Sequence, residues 1–240
     1  MTASKLHIIC PVKNSTETAV QCISKIMDSQ TKVEFQLTVY NDYSDVDCND
    51  ALTRLSLEKG FELIHLEDIT DHPSPNYRLI LQLAQKQAIK SNAHLLIVES
   101  DVMVRPDTVD QLVQVVEGQI KTGMVASVTV DKDGTINFPY LYARDYKQGI
   151  INYNKRLSFC CTLLSYPFLN AYDFQLLDPE KNWYDVHISH QSLKLGYYNY
   201  LCTNHPVLHL PHSSRPWKKL KYSNPLLYYW RKLIERKDKI

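Results

Sequence analysis

Two acidic side chains, Glu99 and Asp101, stand one residue apart directly after the apolar run 95–98. Four apolar residues in a row are typical of a strand buried on both faces of a sheet. Parallel α/β sheets bind their ligands in the crevice beyond the carboxyl ends of the strands. Two carboxylates there need a counter-charge, which a divalent cation bound with a phosphate-bearing substrate would supply. The alternative is that these acids are ordinary polar residues of a loop.

Two further acids have positions suited to chemistry. Asp42 follows the predicted strand 33–40, where its carboxylate could accept hydrogen bonds from a ribose hydroxyl or a base N–H. The alternative for Asp42 is an Asx turn. Asp185 lies at the start of a predicted helix, where it could act as the general base for an acceptor hydroxyl. The helix dipole also favours an acid in the first turn, so helix capping is the alternative for Asp185.

Histidines supply candidate nitrogen ligands for a cation. His205, His209 and His212 follow the last predicted strand, in a spacing similar to that of zinc sites. No CxxC or HExxH motif accompanies them, which favours one histidine in a mixed Asp/His cation site over a self-contained zinc centre. His187 and His190, three residues apart on a predicted helix, form a less favoured alternative pair.

The first 130 residues alternate between strand and helix patterns, which predicts an α/β fold with a doubly wound, mostly parallel sheet. Asn14 with Glu17 resembles a capping box at the start of the first helix. After about residue 135, irregular and aromatic-rich sequence continues to residue 179. The predicted strands are 5–10, 33–40, 61–66, 94–98, 124–130 and 197–202, and the predicted helices include 51–59, 77–91, 106–122 and 183–195.

The composition limits the classes of partner and compartment. The 240 residues include 27 Lys and Arg against 26 Asp and Glu, a formal net charge of +1, which argues against a nucleic-acid partner. The six cysteines form no CxxC pair, which fits reduced thiols in a cytoplasmic protein. The N-terminal apolar stretch is too short for a signal peptide, and no window approaches the roughly 18 apolar residues that span a bilayer.

The C-terminal segment 216–240 is predicted to be a basic, aromatic helix. Between residues 215 and 239 there are nine Lys and Arg and two acids, interleaved with Trp, Tyr and Leu. Such a helix can be a solvated charged helix, a partner-binding helix or a membrane-surface helix. The aromatic content favours the membrane surface, which predicts peripheral contact with the inner face of the cell membrane.

Four segments, in order, resemble the family 2 glycosyltransferases, which have the GT-A fold. Segment 8–14 (IICPVKN) is similar to the opening strand and the loop that holds the nucleotide base, and segment 41–44 (NDYS) is similar to the second motif of the family. Segment 99–101 (ESD) is similar to the Asp-x-Asp motif. Segment 184–187 (YDVH), with the trailing Gly196 and Tyr197, is similar to the Glu-Asp-x-Asp segment. The resemblance covers roughly residues 5–210.

The resemblance implies an inverting transfer of a sugar from a nucleoside diphosphate sugar, with a UDP-sugar favoured, to the hydroxyl of a glycan or lipid-linked acceptor. It places the reaction in cell-surface polysaccharide or glycolipid assembly. Asp185 would be the catalytic base, and Asp101 with His209 would hold Mg²⁺ or Mn²⁺, His212 being the competing ligand. Arg215 and Trp217 would lie in a loop that closes over the diphosphate. The donor would be bound by Pro11, Lys13, Asp42, Glu99 and Ser100.

The sequence departs from the family pattern at several of these positions. Lys13 stands where the family usually has Tyr, Tyr43 where it has Gly, and Glu99 where it has Asp; Tyr184 replaces the Glu before Asp185, and Gln191 stands where Arg is frequent near the acceptor helix. A catalytically impaired or scaffold relative is therefore one alternative function. A sugar nucleotidyltransferase is another, although that class usually carries a Gly-rich basic loop after the first strand.

We expect residues 1–215 to form one domain. Its nucleotide-sugar half would be about 1–130 and its acceptor half about 131–215, with the tail helix 216–240 following.

Overall fold

A computed structural model describes residues 5–181 and 183–210, together with Asn224, 226–227 and 229–230. The chain divides into two compact units, Met1–Leu210 and Pro211–Ile240. Most of the predicted tail helix lies outside the described residues, although Leu226, Leu227, Tyr229 and Trp230 are helical. No helix in the described ranges combines the length and the apolarity that a bilayer crossing requires.

The first unit alternates strands and helices along most of its length. Its strands are β1 (Lys5–Val12), β2 (Glu34–Asn41), β3 (Glu62–His65), β4 (Ala93–Val98), β5 (Val102–Met103), β6 (Thr122–Val130), β7 (Ile150–Asn152), β8 (Cys161–Leu164) and β9 (Tyr198–His209). Its α-helices are α1 (Thr16–Met27), α2 (Val46–Lys59), α3 (Tyr77–Lys90), α4 (Thr108–Gly118), α5 (Tyr166–Ala171) and α6 (Tyr184–Lys194), with short 3₁₀ turns at Leu66–Asp68, Leu141–Ala143 and Phe174–Leu176.

All these strands belong to one sheet, in the order β3-β2-β1-β4-β8-β6-β9-β5, with β7 pairing on β9. The four strands β3, β2, β1 and β4 are mutually parallel. In their register Val12 lies opposite Asn41, and Ile9 lies opposite Ile97. The loops that follow β1, β2 and β4 therefore leave the sheet at one edge, which we call the carboxyl edge.

The other half of the sheet mixes directions. Strand β8 lies between β4 and β6 and is antiparallel to both, whereas β6 and β9 are parallel. Strand β9 runs seven residues beyond the expected end at Cys202, and its last residue, His209, lies opposite Val102 of β5. This extension brings a histidine of the C-terminal half next to the acid pair after β4.

Helices cover both faces of the sheet, as the alternating pattern predicted. Helices α1, α2 and α4 pack on one face through a buried cluster that includes Ile23, Leu52 and Leu112. Helices α3, α5 and α6 pack on the other face through a second cluster that includes Ile80 and Phe168. Burial on both faces is the reason that β4 ends in the continuous apolar run 95–98.

A glycine allows α6 to approach the sheet closely. A Cβ atom on Gly123 of β6 would lie 2.0 Å from Ser192 Oγ of α6 and 2.9 Å from Tyr197 Cβ. Ser192 also donates a hydrogen bond to Asn199 Oδ1 of β9 at 2.7 Å. Gly123 therefore fixes the distance between the sheet and the helix that carries Asp185.

Two local predictions are wrong. The predicted capping box is absent: the residue before α1 is Ser15, and Asn14 has a left-handed φ of 47° and binds another loop instead. The segment 135–179, expected to be irregular, contains β7, β8 and α5. Strand β8 has only four residues and is recognisable as a strand by its place between β4 and β6 rather than by its sequence.

Candidate active site

Three loops at the carboxyl edge are joined by hydrogen bonds. The backbone N–H of Asn14 donates to Ser44 Oγ at 3.0 Å, and the N–H of Asp45 donates to Asn14 Oδ1 at 2.8 Å. The hydroxyl groups of Ser15 and Ser100 lie 3.0 Å apart. The loops after β1, β2 and β4 therefore form one connected floor, and it holds the predicted donor residue Ser100.

Asp42 is held by a fourth loop. Its carboxylate is 7% exposed and accepts hydrogen bonds from Ser74 Oγ at 2.7 Å, from the Asn76 N–H at 3.0 Å and from Asn76 Nδ2 at 2.8 Å. These partners lie more than thirty residues away, so the arrangement is not the Asx turn considered as an alternative. A carboxylate offers about four acceptor positions, so roughly one remains for another donor group.

Two other predicted donor residues lie beside Asp42. Pro11 is the residue of β1 paired with Tyr40 of β2. Lys13 extends its Nζ to within 3.3 Å of the Asp42 carbonyl oxygen and is otherwise exposed. The structure therefore brings Pro11, Lys13 and Asp42 together at the carboxyl edge and leaves one cationic side chain accessible there.

The two acids after β4 contact different strands. Glu99 lies beside the start of β8: its N–H donates to the Cys160 carbonyl at 3.0 Å, and its Oε2 accepts from Cys160 Sγ at 3.3 Å. Asp101 lies beside the end of β9: its carbonyl accepts from the Leu210 N–H at 2.8 Å, and its Oδ2 is 3.4 Å from His209 Nε2. Both acids nevertheless belong to one cluster, because His209 is near both.

The ring of His209 is oriented towards the acids. The ring is 3% exposed, and its Nδ1 donates to the Phe138 carbonyl oxygen at 2.8 Å. With the proton on Nδ1, a neutral ring presents the lone pair of Nε2 to the carboxylate of Asp101. The Nε2 of His209 and the Oδ2 of Asp101 are 3.4 Å apart, close enough for both to bind one cation, and a backbone carbonyl on the far nitrogen is the usual support of a metal-binding histidine.

A third side chain, Cys160, joins this metal-ligand cluster. Ligand atoms of Glu99, Cys160 and His209 all lie within 4.8 Å of one another. Burial and the negative charge of Glu99 raise the pKa of the Cys160 thiol. Oxygen, nitrogen and sulfur donors of this kind fit a divalent transition metal, so the residues present fit Mn²⁺ better than Mg²⁺, the other predicted cation.

Asp185 lies in the first turn of α6, where its Oδ1 accepts a hydrogen bond from the Val186 N–H at 2.9 Å. The side chain is half-buried. Its pKa is raised from 3.8 to about 6, chiefly by this burial. The hydrogen bond from the Val186 N–H and the charge of Arg156 oppose the rise, and the charge of Glu99 adds to it. Asp185 therefore binds a free N–H of the first helical turn and also has a pKa suited to accepting a proton near neutral pH.

Three tyrosines form a cluster of aromatic rings that share a charged neighbour with Asp185. The rings of Tyr142 and Tyr153 stack with centroids 5.3 Å apart and an interplanar angle of 7°. The ring of Tyr146 lies at an angle to both of them, with centroids 6.3 Å and 6.4 Å away. Tyr142 and Tyr146 are 36% and 37% exposed. The charge of Arg156 lowers the pKa values of both Tyr142 and Asp185, so this aromatic platform (Tyr142, Tyr146 and Tyr153) and Asp185 share one charged neighbour.

The other candidate histidines are accounted for differently. The Nε2 atom of His187 lies 2.9 Å from the Tyr172 hydroxyl, and His190 is exposed on the helix surface. His187 is therefore occupied in packing against Tyr172 rather than paired with His190. The remaining candidates, His212, Arg215 and Trp217, lie outside the described residues.

Comparison with known proteins bears on the fold. No protein-family model matches the sequence, and no curated protein matches it. The structure is similar to the mannosyltransferase PcManGT from Pyrobaculum calidifontis in complex with GDP-Man and Mn²⁺, with a TM-score of 0.67 and 13% identity over 98% of this chain and 65% of that chain. The fold is GT-A.

Two further solved structures agree with this GT-A assignment. S. aureus TarS 1–349 has a TM-score of 0.66 and 14% identity over 85% of this chain and 60% of that chain. GalNAc-T7 with UDP, GalNAc and Mn²⁺ has a TM-score of 0.66 and 11% identity over 89% of this chain and 45% of that chain. The chain thus spans 65% of the first structure's length and less of the other two. The predicted GT-A fold is confirmed, and family 2 membership stays a prediction.

Proposed function

We propose that this protein is a metal-dependent, inverting glycosyltransferase of the family 2 type. It would transfer a sugar from a nucleoside diphosphate sugar to the hydroxyl of a glycan or lipid-linked acceptor. One observation carries the proposal: the acid pair Glu99 and Asp101 lies beside His209, which is more than a hundred residues away in the sequence, and the charge of Glu99 acts on the pKa of Asp185. The acid pair follows β4 at the carboxyl edge, which is where α/β sheets bind nucleotides.

The donor half of the proposal rests on the connected loops at this edge. Pro11, Lys13, Asp42 and Ser100 lie there, and the exposed ammonium group of Lys13 suits a phosphate or a base carbonyl. Two of the similar structures hold GDP-Man with Mn²⁺ and UDP with GalNAc and Mn²⁺. A UDP-sugar is our preferred donor.

The cation site rests on the orientation of His209 and the nearby acids. Asp101 and His209 would hold Mg²⁺ or Mn²⁺, with Glu99 close enough to assist. When bound, the cation would neutralise the charge that develops on the departing diphosphate. The chain's own contribution is to hold these ligands in place through the carbonyls of Phe138 and Asp101.

Asp185 would act as the general base. Its carboxylate would take the proton of the acceptor hydroxyl as the acceptor oxygen forms its bond to the anomeric carbon and the diphosphate leaves from the opposite face. A base must be deprotonated to act, and a pKa of about 6 leaves most Asp185 ionised at neutral pH. Partial burial of the carboxylate, which raises its pKa, would also make it a stronger base than a fully hydrated Asp.

The aromatic platform would bind the acceptor. Sugar rings have apolar faces that stack on exposed aromatic rings, and Tyr142 with Tyr146 offers such a surface. A lipid-linked acceptor in cell-surface polysaccharide or glycolipid assembly would agree with peripheral membrane contact through the basic tail, on the cytoplasmic side of the membrane. A liposome co-sedimentation assay tests that contact, and a chain that stays wholly in the supernatant argues against it.

A screen of nucleotide sugars tests the proposed activity. The full chain is incubated with Mn²⁺ and each UDP- and GDP-sugar, and release of the nucleoside diphosphate is measured with and without oligosaccharide acceptors. We expect one donor to give release that EDTA abolishes and that Asp185→Asn reduces by at least about 100-fold. Asp133→Asn, which removes an exposed carboxylate from a turn, serves as the control. Unreduced release by Asp185→Asn contradicts the proposed base.

A further inference from the structure

We propose that Cys160 is a thiolate ligand of the bound cation, so that this site binds thiophilic divalent ions such as Zn²⁺ and Co²⁺ far more tightly than Mg²⁺. The inference rests on the proposed metal-dependent function and deepens it by naming a sulfur ligand. Its test is metal binding rather than sugar transfer. Cys160 would share the ion with His209 and Glu99.

The distances allow one ion to reach all three ligands. Bonds of about 2.0 Å to nitrogen or oxygen and about 2.3 Å to sulfur place tetrahedral ligand atoms roughly 3.3–3.8 Å apart. Cys160 Sγ and Glu99 Oε2 are already 3.3 Å apart, and His209 Nε2 belongs to the group whose atoms lie within 4.8 Å. Side-chain adjustments of about 1 Å would therefore complete the site.

The backbone holds these ligands in position. The hydrogen bond from the Glu99 N–H to the Cys160 carbonyl joins the two residues side by side across the end of β4 and the start of β8. Cys160 is 3% exposed, so water competes weakly for the sulfur. In the structure the Cys160 thiol donates a hydrogen bond to the Glu99 carboxylate. On metal binding the thiol proton would leave to solvent, and a lone pair of the resulting thiolate would bind the ion.

A neighbouring cysteine provides a matched control. Cys22 is also buried and lies close to the same acid, but its thiol points to the Glu99 backbone carbonyl at 3.5 Å rather than to the carboxylate. Cys22→Ser therefore changes the same chemistry in the same region without removing the proposed ligand. Cys160→Ser removes the sulfur and keeps a hydroxyl that can donate to Glu99.

Optical titration with Co²⁺ tests the sulfur ligand directly. Co²⁺ is added to the full chain, alone and with UDP, and the near-ultraviolet thiolate-to-metal charge-transfer band is recorded beside the visible d–d bands. We expect the charge-transfer band in the wild type and in Cys22→Ser, and its loss in Cys160→Ser. Co²⁺ and Zn²⁺ affinities should fall by at least about tenfold in Cys160→Ser, since even supporting residues of metal sites cost that much.

The contrary outcomes are distinct. Bound Co²⁺ with d–d bands and no charge-transfer band in the wild type overturns the sulfur ligand but leaves an oxygen and nitrogen site for Mg²⁺ or Mn²⁺. A band that survives in Cys160→Ser assigns the sulfur to another cysteine and also overturns the proposal. If no Co²⁺ binds, the proposal fails, and sugar transfer measured with EDTA then decides separately whether the proposed function needs a metal.

A measurement on the wild type alone covers the case in which Cys160→Ser does not fold. X-ray absorption at the zinc edge of the Zn²⁺-loaded chain should show one sulfur at about 2.3 Å among nitrogen and oxygen ligands. A coordination shell of nitrogen and oxygen alone contradicts the proposal.

Discussion

Replacing Asp185 by Asn should have two opposite effects: sugar transfer is lost and the folded protein becomes more stable. The pKa of Asp185 is raised from 3.8 to about 6, chiefly by burial. A tenfold change in a protonation equilibrium is worth about 1.4 kcal/mol, so ionising this buried group at pH 7 or above lowers the free energy of unfolding by about 3 kcal/mol. Because the side chain is only half-buried, solvent screening reduces this to about 1–2 kcal/mol.

The stability difference between Asp185→Asn and the wild type depends on pH. An acid with a raised folded-state pKa holds its proton in the folded chain after the unfolded chain has released it, so wild-type stability falls as pH rises from about 4 to 6. Asp185→Asn removes that loss, and its Oδ1 can still accept the hydrogen bond from the Val186 N–H. The stability gain should be present above about pH 6 and vanish below about pH 4.

Urea unfolding of the two proteins at about pH 4 and about pH 7 measures this difference. Both samples contain EDTA, so that no cation changes the charge near the site, and Asp133→Asn controls for the loss of one carboxylate. Equal stability of Asp185→Asn and the wild type at both pH values would refute the raised pKa. Retained transfer by Asp185→Asn would refute its role as the base.

Three further expectations follow from the same structure. The transfer rate should show an acidic limb with an apparent pKa between the ordinary value of Asp185 and about 6, because a bound cation offsets part of the rise that burial causes; a rate that stays constant from about pH 3 to 8 contradicts the base. Gly123→Ala should lower the free energy of unfolding by about 1–3 kcal/mol, because the added Cβ would lie 2.0 Å from Ser192 Oγ. Unchanged stability in urea unfolding would show that α6 can shift away from the sheet at no cost. Tyr142→Ala should raise the KM for the acceptor several-fold while the KM for the donor changes little, and the reverse pattern in initial-rate kinetics would place the tyrosine on the donor side.

The parallel half of the sheet could be predicted from the sequence because its signals are local. Apolar runs such as 95–98 indicate buried strands, and turn residues such as Gly60 mark the helix ends. Asp42, Glu99 and Asp101 were then placed correctly at strand ends. Strand order and the exact length of each element come from packing, which one sequence does not reveal.

The mixed half could not be predicted in the same way. Strand β9 continues through Asn204 and Pro206, residues that are uncommon in strands, and its pairing with β6 shifts register between Ser127 and Thr129. Strand β8 lies within a segment that reads as irregular. The proposed ligand Cys160 was missed for this reason: its nearness to Glu99 depends on β8 pairing with β4 across a separation of 61 residues.

The pKa of Asp185 is likewise a property of the folded chain. The sequence showed an acid in a first helical turn, which suits either a cap or a base. Burial by the surrounding elements raises its pKa, and no local pattern reports that burial. The carboxylate also accepts a hydrogen bond from the Val186 N–H of the first helical turn, which the proposed role as a base does not exclude.

Calorimetry of nucleotide binding tests whether a donor nucleotide binds at a cation held by Asp101. UDP and GDP are titrated into the wild type and into Asp101→Asn, each with Mn²⁺ and again with EDTA. We expect one of the two nucleotides to bind the wild type in the presence of Mn²⁺. EDTA should weaken this binding, and Asp101→Asn should weaken it by at least about tenfold. Unchanged nucleotide affinity in Asp101→Asn with Mn²⁺ would contradict a donor site built around this cation.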